Sequence, residues 1–339
     1  MAQAELNQPT TAPVMIRDRF LRNQLVARRE RLQAVAPAAR DGHGGLQELL
    51  REVDAALSRM DTGTFGICDT CHDTIENDRL LADPLCRNCL DHLSPAEQHA
   101  LARDLDLAFQ VQQGLLPGAG IKIDGWNVAY SYEPAGPVSG DYCDLIALDK
   151  GAGLFALGDV AGKGVAASML MANLHAIFRS LVTVTRSVTD LVAKANRVFC
   201  QSAVSSHFAT LVCGYVDGKG GVDICNAGHC LPLHLKNGAI ARLESTGLPL
   251  GLFSDGEYHS QKLTLAKGDS LVLYSDGVSE AFDAAGKQYG VDRLAELLGR
   301  KRAGTPKEVL DAVLGDVKSF RSGAPKTDDL TLMVIRRDA

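Results

Sequence analysis

The apolar periodicity changes at Pro117-Gly118, and that change limits what each side of the chain can become. Before it, apolar residues recur at three- and four-residue spacing, which places them on one helix face. After Ile121 the sequence is short apolar runs punctuated by Gly-Asp turns, the texture of strands. A length of 339 residues allows two domains at roughly 150 residues each. With 46% hydrophobic and 22% charged residues, the chain can bury a sizeable core. A net charge of −6 argues against a nucleic-acid binder, and no direct nucleic-acid contact is expected. The basic residues are unevenly spread: all 13 Lys lie from Lys122 onward, whereas 12 of 22 Arg lie at or before Arg103. No secretory layout opens the chain and no apolar run is long enough to cross a membrane. Nine Cys, four of them paired by spacing, point to a reducing cytoplasm and one metal site.

Residues 1–13 are a loose tail, expected to be disordered. A helix is expected from Val14 to about Val35, carrying Ile16, Phe20, Leu21, Leu25 and Leu32, and a second from about Leu46 to Met60. Pro37 to Gly45 breaks between them, so residues 14–60 read as a helical hairpin. Ser94-Pro95-Ala96-Glu97 has the residues of a helix start. The helix it opens runs to about Leu116 as a connector able to transmit a displacement. Domain limits follow at 14–93, 94–117 and 118–339. Strands are expected at 127–133, 144–149, 153–158, 207–216, 221–226, 231–235, 260–265, 270–275 and 330–336. Helices are expected near 164–184, 187–201, 290–299 and 306–320. Strands on both sides of a paired helical block give an α+β layered domain, without the alternation of a parallel β-α-β fold.

Cys68-x2-Cys71 and Cys86-x2-Cys89 are two knuckles 14 residues apart. Each lets two thiolates face one ion, and together they complete a tetrahedron around Zn²⁺. Four protein ligands fill the sphere, so the ion is structural and its binding supplies most of the finger's folding energy. The run Val53 to Cys68, followed by Ile75 and Arg79-Leu80, resembles the DksA/TraR zinc-finger family. That resemblance implies a finger at the base of the hairpin and a contact with RNA polymerase. The hairpin tip presents only Asp41 as an acidic residue, so the finger's fold is carried over rather than the polymerase activity.

No obvious nucleophile lies beyond residue 118. There is no Gly-x-Ser-x-Gly elbow, and no Cys is followed six residues later by Arg. Gly158 to Gly164 is spaced wrongly for a P-loop and has Gly164 where a magnesium-binding Ser or Thr is required. What recurs is an Asp at the mouth of a strand: Asp141, Asp159, Asp276 and the pair Asp328-Asp329. Any one of these fits turn chemistry. Together they fit Mg²⁺ or Mn²⁺, hard ions that take several carboxylates plus waters, and two such ions can activate a water for attack on phosphorus.

Val138-Ser139-Gly140-Asp141-Tyr142-x-Asp144, Gly158-Asp159-Val160-Ala161-Gly162-Lys163-Gly164, Asn226-Ala227-Gly228-His229, Tyr274-Ser275-Asp276-Gly277-Val278-x-Glu280-Ala281 and Asp328-Asp329-Leu330-Thr331 occur in the order seen in SpoIIE/RsbU-type phosphatases. These are the bacterial branch of metal-dependent, 2C-like serine/threonine phosphatases, and the resemblance covers about 121–337. Gln110 to Pro117 also looks like the helix that precedes this domain in regulated members. The resemblance implies a four-layer α/β/β/α sandwich and a phosphoprotein (pSer/pThr) phosphatase with two Mn²⁺ or Mg²⁺ ions. It implies Asp159 bridging both ions, the Val160 carbonyl as a further ligand, Asp276 and Asp328 on one ion, and Asp141 reaching the site from the first strand pair. Asp329 orients Asp328 or serves a third ion. It further implies a phosphoprotein substrate of the anti-sigma-factor-antagonist kind, regulation by the finger, and a homodimer through the connector helices. The alternative is a polymerase- or partner-binding transcription regulator with a secondary or inactive phosphatase domain. His229 reads as a turn residue beneath the site, and Cys143, Cys200 and Cys213 as core residues.

Overall fold

The computed structural model describes residues 43–338 apart from 77–78, 81–82, 94, 119, 203–206, 237–238, 302–303 and 325, and before them positions 18, 21–26, 28–30 and 32–33. The expected tail and most of the hairpin tip fall outside these residues. The chain divides into two compact units, Met1–Arg103 and Asp104–Ala339. The division falls inside a helix, where the sequence suggested a separate connector.

In the first unit, the described positions of the first helical segment place Leu21 and Leu25 in the core, fully buried. Leu25 shares a cluster with Val53, Ala56 and Leu57 of helix α1 (His43–Thr62), which makes the expected hairpin. Helix α1 starts earlier than expected and includes Gly44 and Gly45. Arg22 pairs with Asp61 at 2.7 Å across the two helices. Leu21 also meets Ile75, Leu80 and the thiols of the cysteine segment, a very small core. Helix α2 (Pro95–Leu115) opens on the expected proline, with Glu97 in its first turn.

The second unit has two five-stranded sheets. One has the order β1 (Trp126–Glu133), β10 (Leu330–Arg337), β9 (Ser270–Tyr274), β6 (Leu233–Lys236), β7 (Ala239–Arg242). The other runs β2 (Asp141–Ala147), β3 (Gly153–Val160), β4 (Ala209–Val216), β5 (Gly221–Ala227), β8 (Gln261–Thr264). Every neighbouring pair is antiparallel. Phe155, Leu157 and Val212 of one sheet meet Leu271, Leu273, Met333 and Ile335 of the other in a shared core. Helices α3 (Gly164–Leu181) and α4 (Val188–Ser202) cover the second sheet with Met171, Leu174, Phe178, Leu191 and Phe199. The short turn of helix α5 (Asp276–Ser279) follows β9. Helices α6 (Val291–Lys301) and α7 (Pro306–Arg321) cover the first sheet with Leu294, Leu298, Val309, Val313 and Val317. Because β3, β9 and β10 are covered on both faces, they are almost continuously buried and read as unbroken apolar runs. Helix α7 begins with a capping box: Glu308 N–H donates to the Thr305 hydroxyl, and Thr305 N–H donates to the Glu308 carboxylate.

Candidate metal centre

Antiparallel pairing brings the start of β2, the end of β3, the end of β9 and the start of β10 to one end of the two sheets. Asp141 and Asp159 face each other in register across β2 and β3. Asp276 opens α5 directly after β9, and Asp328 and Asp329 immediately precede β10. The turn at Asp276 depends on Gly277, where an added Cβ would lie 1.9 Å from the Asp329 carbonyl. A Cβ at Gly140 would lie 3.0 Å from the Val160 carbonyl and 3.4 Å from Asp159 Oδ1, so a side chain there would crowd both expected ligands.

The carboxylates repel one another. Burial, then Asp276, Asp328 and Asp329, push the Asp159 carboxyl up to about 7, with Lys163 acting in the opposite direction. Burial, then Asp328 and Glu280, raise Asp276. Asp141 is 1% exposed; burial first, then Asp159, hold its carboxyl well above the usual carboxylate range. Its Oδ2 accepts the Thr331 hydroxyl from the other sheet. Lys163 Nζ donates to Asp328 Oδ2 at 3.0 Å and to the Thr327 carbonyl at 2.8 Å. Asp329 is turned to the backbone: its Oδ1 accepts Ala135 N–H at 2.6 Å and its Oδ2 accepts Gly140 N–H at 3.0 Å. Asp329 N–H in turn donates to Asp328 Oδ1 at 3.0 Å.

This cluster of oxygen donors with Lys163 as its contacting cation fits hard divalent ions, which would supply the missing positive charge. His229 is buried, with Nδ1 2.8 Å from the Thr210 hydroxyl, and burial pulls its imidazole down to about 4. Thr210 lies opposite Asp159 in β4, so His229 packs beneath the strand end as expected. Arg179 donates to both Asp144 oxygens, at 2.8 and 2.6 Å, and joins α3 to β2 rather than facing the cluster. Cys143 and Cys213 are buried, whereas Cys200 is half-buried beside Asn196.

In the cysteine segment a histidine lies with three of the four expected cysteines. Among the described residues, the ligand atoms that all lie within 4.8 Å of one another belong to Cys68, Cys71, Cys89 and His92. Cys71 Sγ is 3.7 Å from Cys89 Sγ, which is 3.2 Å from His92 Nδ1. Cys86 stands outside that set; burial raises its thiol, with Arg79 and Arg59 opposing. Burial also opposes ionisation of Cys68, yet backbone N–H groups of Cys71, Cys89 and Thr70 bring it down to about 6, whereas burial and the neighbouring thiols push Cys89 up to about 11. His92 escaped the sequence reading; its signal is the three-residue step from Cys89, the same spacing as within each knuckle.

The Stage II sporulation protein E (SpoIIE) family matches residues 149–338, a span that begins after Asp141 and the cysteine knuckles. Phosphoserine phosphatase RsbU of Bacillus subtilis is 28% identical over 243 residues, 71% of this chain and 72% of that protein. Protein IcfG of Synechocystis is 28% identical over 269 residues, 69% of this chain but 42% of that protein. The chain thus spans less than half of one of these relatives and about seven-tenths of the other. Among solved structures, the SiaA-PP2C domain of Pseudomonas aeruginosa aligns with a TM-score of 0.64 at 20% identity, covering 72% of this chain and all of that one. The RsbU and RsbW domains of a Mycobacterium tuberculosis protein align with a TM-score of 0.54 at 26% identity, covering 64% and 62% of the respective chains. With the ordered Asp motifs and the two-sheet fold, these matches lead to one conclusion: the chain belongs to the SpoIIE family.

Proposed function

We propose that this chain is a divalent-metal-dependent phosphoprotein phosphatase acting on phosphoserine or phosphothreonine. The supporting observation is the convergence of Asp159, Asp276 and Asp328 from three separate elements, where burial first and the neighbouring carboxylates second bring Asp159 to about 7. Asp159, the Val160 carbonyl, Asp276 and Asp328 would hold two Mn²⁺ or Mg²⁺ ions. When bound, those ions supply an activated water and neutralise the phosphoryl oxygens. Asp141, in register beside Asp159 across β2 and β3, would reach the ions from that strand pair, and Asp329 fixes the loop 135–140. Lys163, exposed and bound to Asp328, is free to turn toward a phosphate once the carboxylates have another counter-charge.

The substrate class follows the relatives named as phosphoserine phosphatases, and a partner-switching phosphoprotein fits it. In the first unit a structural Zn²⁺ on Cys68, Cys71 and Cys89, with Cys86 or His92 completing the tetrahedron, fits the converging thiols. Nine thiols, none of them in a disulfide, suit a reducing cytoplasm. Among the described residues no helix is long and apolar enough to cross a membrane. The test is turnover of p-nitrophenyl phosphate and of a phosphoserine protein with Mn²⁺, Mg²⁺ or chelator, beside Asp159→Asn and Asp276→Asn. Activity that needs added metal and falls at least about a thousandfold in both variants is expected. Equal turnover with chelator, or in Asp159→Asn, would overturn the assignment.

A further inference from the structure

Gln112 is a polar residue near the end of α2, and it is only 3% exposed. Its neighbours Val111, Gln113 and Gly114 are exposed, so helix amphipathicity alone does not call for a glutamine there. Both ends of its amide are engaged by one residue: Nε2 donates to the Ser139 carbonyl at 2.8 Å, and Oε1 accepts Ser139 N–H at 3.0 Å. The side chain therefore pairs with the Ser139 backbone as a neighbouring strand would.

Ser139 opens the turn that delivers Asp141. Its hydroxyl accepts Asp141 N–H at 3.0 Å. Gly140, between them, gives its N–H to Asp329 Oδ2 at 3.0 Å and takes Val160 N–H on its carbonyl at 3.3 Å. Within three residues the backbone is thus fixed by α2, by the residue after Asp328 and by the residue after Asp159. Asp329 and Val160 are tied to the metal cluster itself, whereas Gln112 belongs to a helix outside both sheets.

We propose that Gln112 is a positioning residue for the divalent-metal site, holding the Ser139–Asp141 turn so that Asp141, Gly140 and the Val160 carbonyl keep the spacing the ions need. The inference rests on the phosphatase reading and adds to it the statement that the seat of α2 sets metal affinity. A buried amide that lost both partners would also leave the Ser139 N–H and carbonyl unpaired, so the turn would relax to find others.

The test uses the full chain and measures direct Mn²⁺ binding by loss of the free-ion electron paramagnetic resonance signal. The Mn²⁺ midpoint of p-nitrophenyl phosphate turnover and the thermal midpoint are measured alongside. Gln112→Ala removes both bonds; Gln112→Glu keeps an acceptor for Ser139 N–H and loses the donor; Gln113→Ala, on the exposed face, is the control. The expected result is a Mn²⁺ midpoint about tenfold higher in Gln112→Ala, a smaller rise in Gln112→Glu, and none in Gln113→Ala, with kcat at saturating Mn²⁺ falling less than the affinity. Binding midpoints within twofold of wild type in the folded Gln112 variants, even with a lowered thermal midpoint, would reduce Gln112 to a packing role and overturn the proposal. If Gln112→Ala does not fold, the Gln112→Glu midpoint decides in the same way. Failure of the wild-type protein to bind Mn²⁺ would instead overturn the phosphatase reading.

Discussion

The cysteine segment and the Asp cluster are the two proposed metal-ligand sets, and they are held in place by opposite means. Cys68, Cys71, Cys89 and His92 come from one stretch of 25 residues whose core is a handful of side chains around Leu21, Ile75 and Leu80. Such a segment has too little apolar area to fix four donors unaided, so an ion there contributes folding energy. Asp159, Asp276 and Asp328 are separated in sequence by 117 and 52 residues and sit on the rim of two packed sheets. That scaffold keeps carboxylates together against burial and their own repulsion, which together raise Asp159 to about 7. The lesson is that the proposed zinc site would be built by its metal, whereas the Asp cluster is assembled by the sheets before any metal arrives.

The sharpest break of this contrast comes from Cys68→Ser. It should abolish amide-exchange protection through the described residues of Met1–Arg103, leaving protection in the sheets of Asp104–Ala339 unchanged. Comparable loss in both units would erase the distinction.

A subtler effect lies in pH. Because Asp159 is raised from 3.8 to about 7 in the folded protein, the native state holds that proton more tightly than the unfolded chain. The sign is therefore destabilising: nothing is lost below about pH 3.8, the metal-free protein becomes steadily less stable as pH rises through about 7, and the loss then levels off. Mn²⁺ competes with the same proton, so it should raise the thermal midpoint of the second unit by several degrees more at about pH 8 than at about pH 5.5. The thermal midpoint of the Cys-rich unit should respond little to Mn²⁺. Equal Mn²⁺ shifts at both pH values would mean that Asp159 is not part of the site.

Much of this was legible in the sequence because local chemistry announced it. Thr305-Pro306 with Glu308 marks the start of α7 within a residue, and the Gly-flanked Asp motifs mark the strand mouths that meet at the cluster. The antiparallel order of the sheets was not legible beyond its class, since β3, β9 and β10 are buried on both faces and show no alternation. Strand β7 was missed because Ala239–Arg242 is short and mostly exposed, so it carries no apolar run. Arg179 could be placed on its helix but not against Asp144, a partner 35 residues away that only the fold supplies. The same holds for Gln112 and Ser139. The sequence offers Asp329 as a residue that orients Asp328 or serves a third ion, but not its bonds to the backbone of 135–140, which only the fold supplies.

The most direct test of the contrast is a metal count on one preparation, by elemental analysis for Zn²⁺ and by titration for Mn²⁺, in wild type and in Asp159→Asn. The account predicts one Zn²⁺ that survives gel filtration in both proteins, two Mn²⁺ bound by wild type, and Mn²⁺ binding lost or weakened at least about a hundredfold in Asp159→Asn. Undiminished Mn²⁺ binding in Asp159→Asn, or a Zn²⁺ content that falls with that substitution, would contradict it.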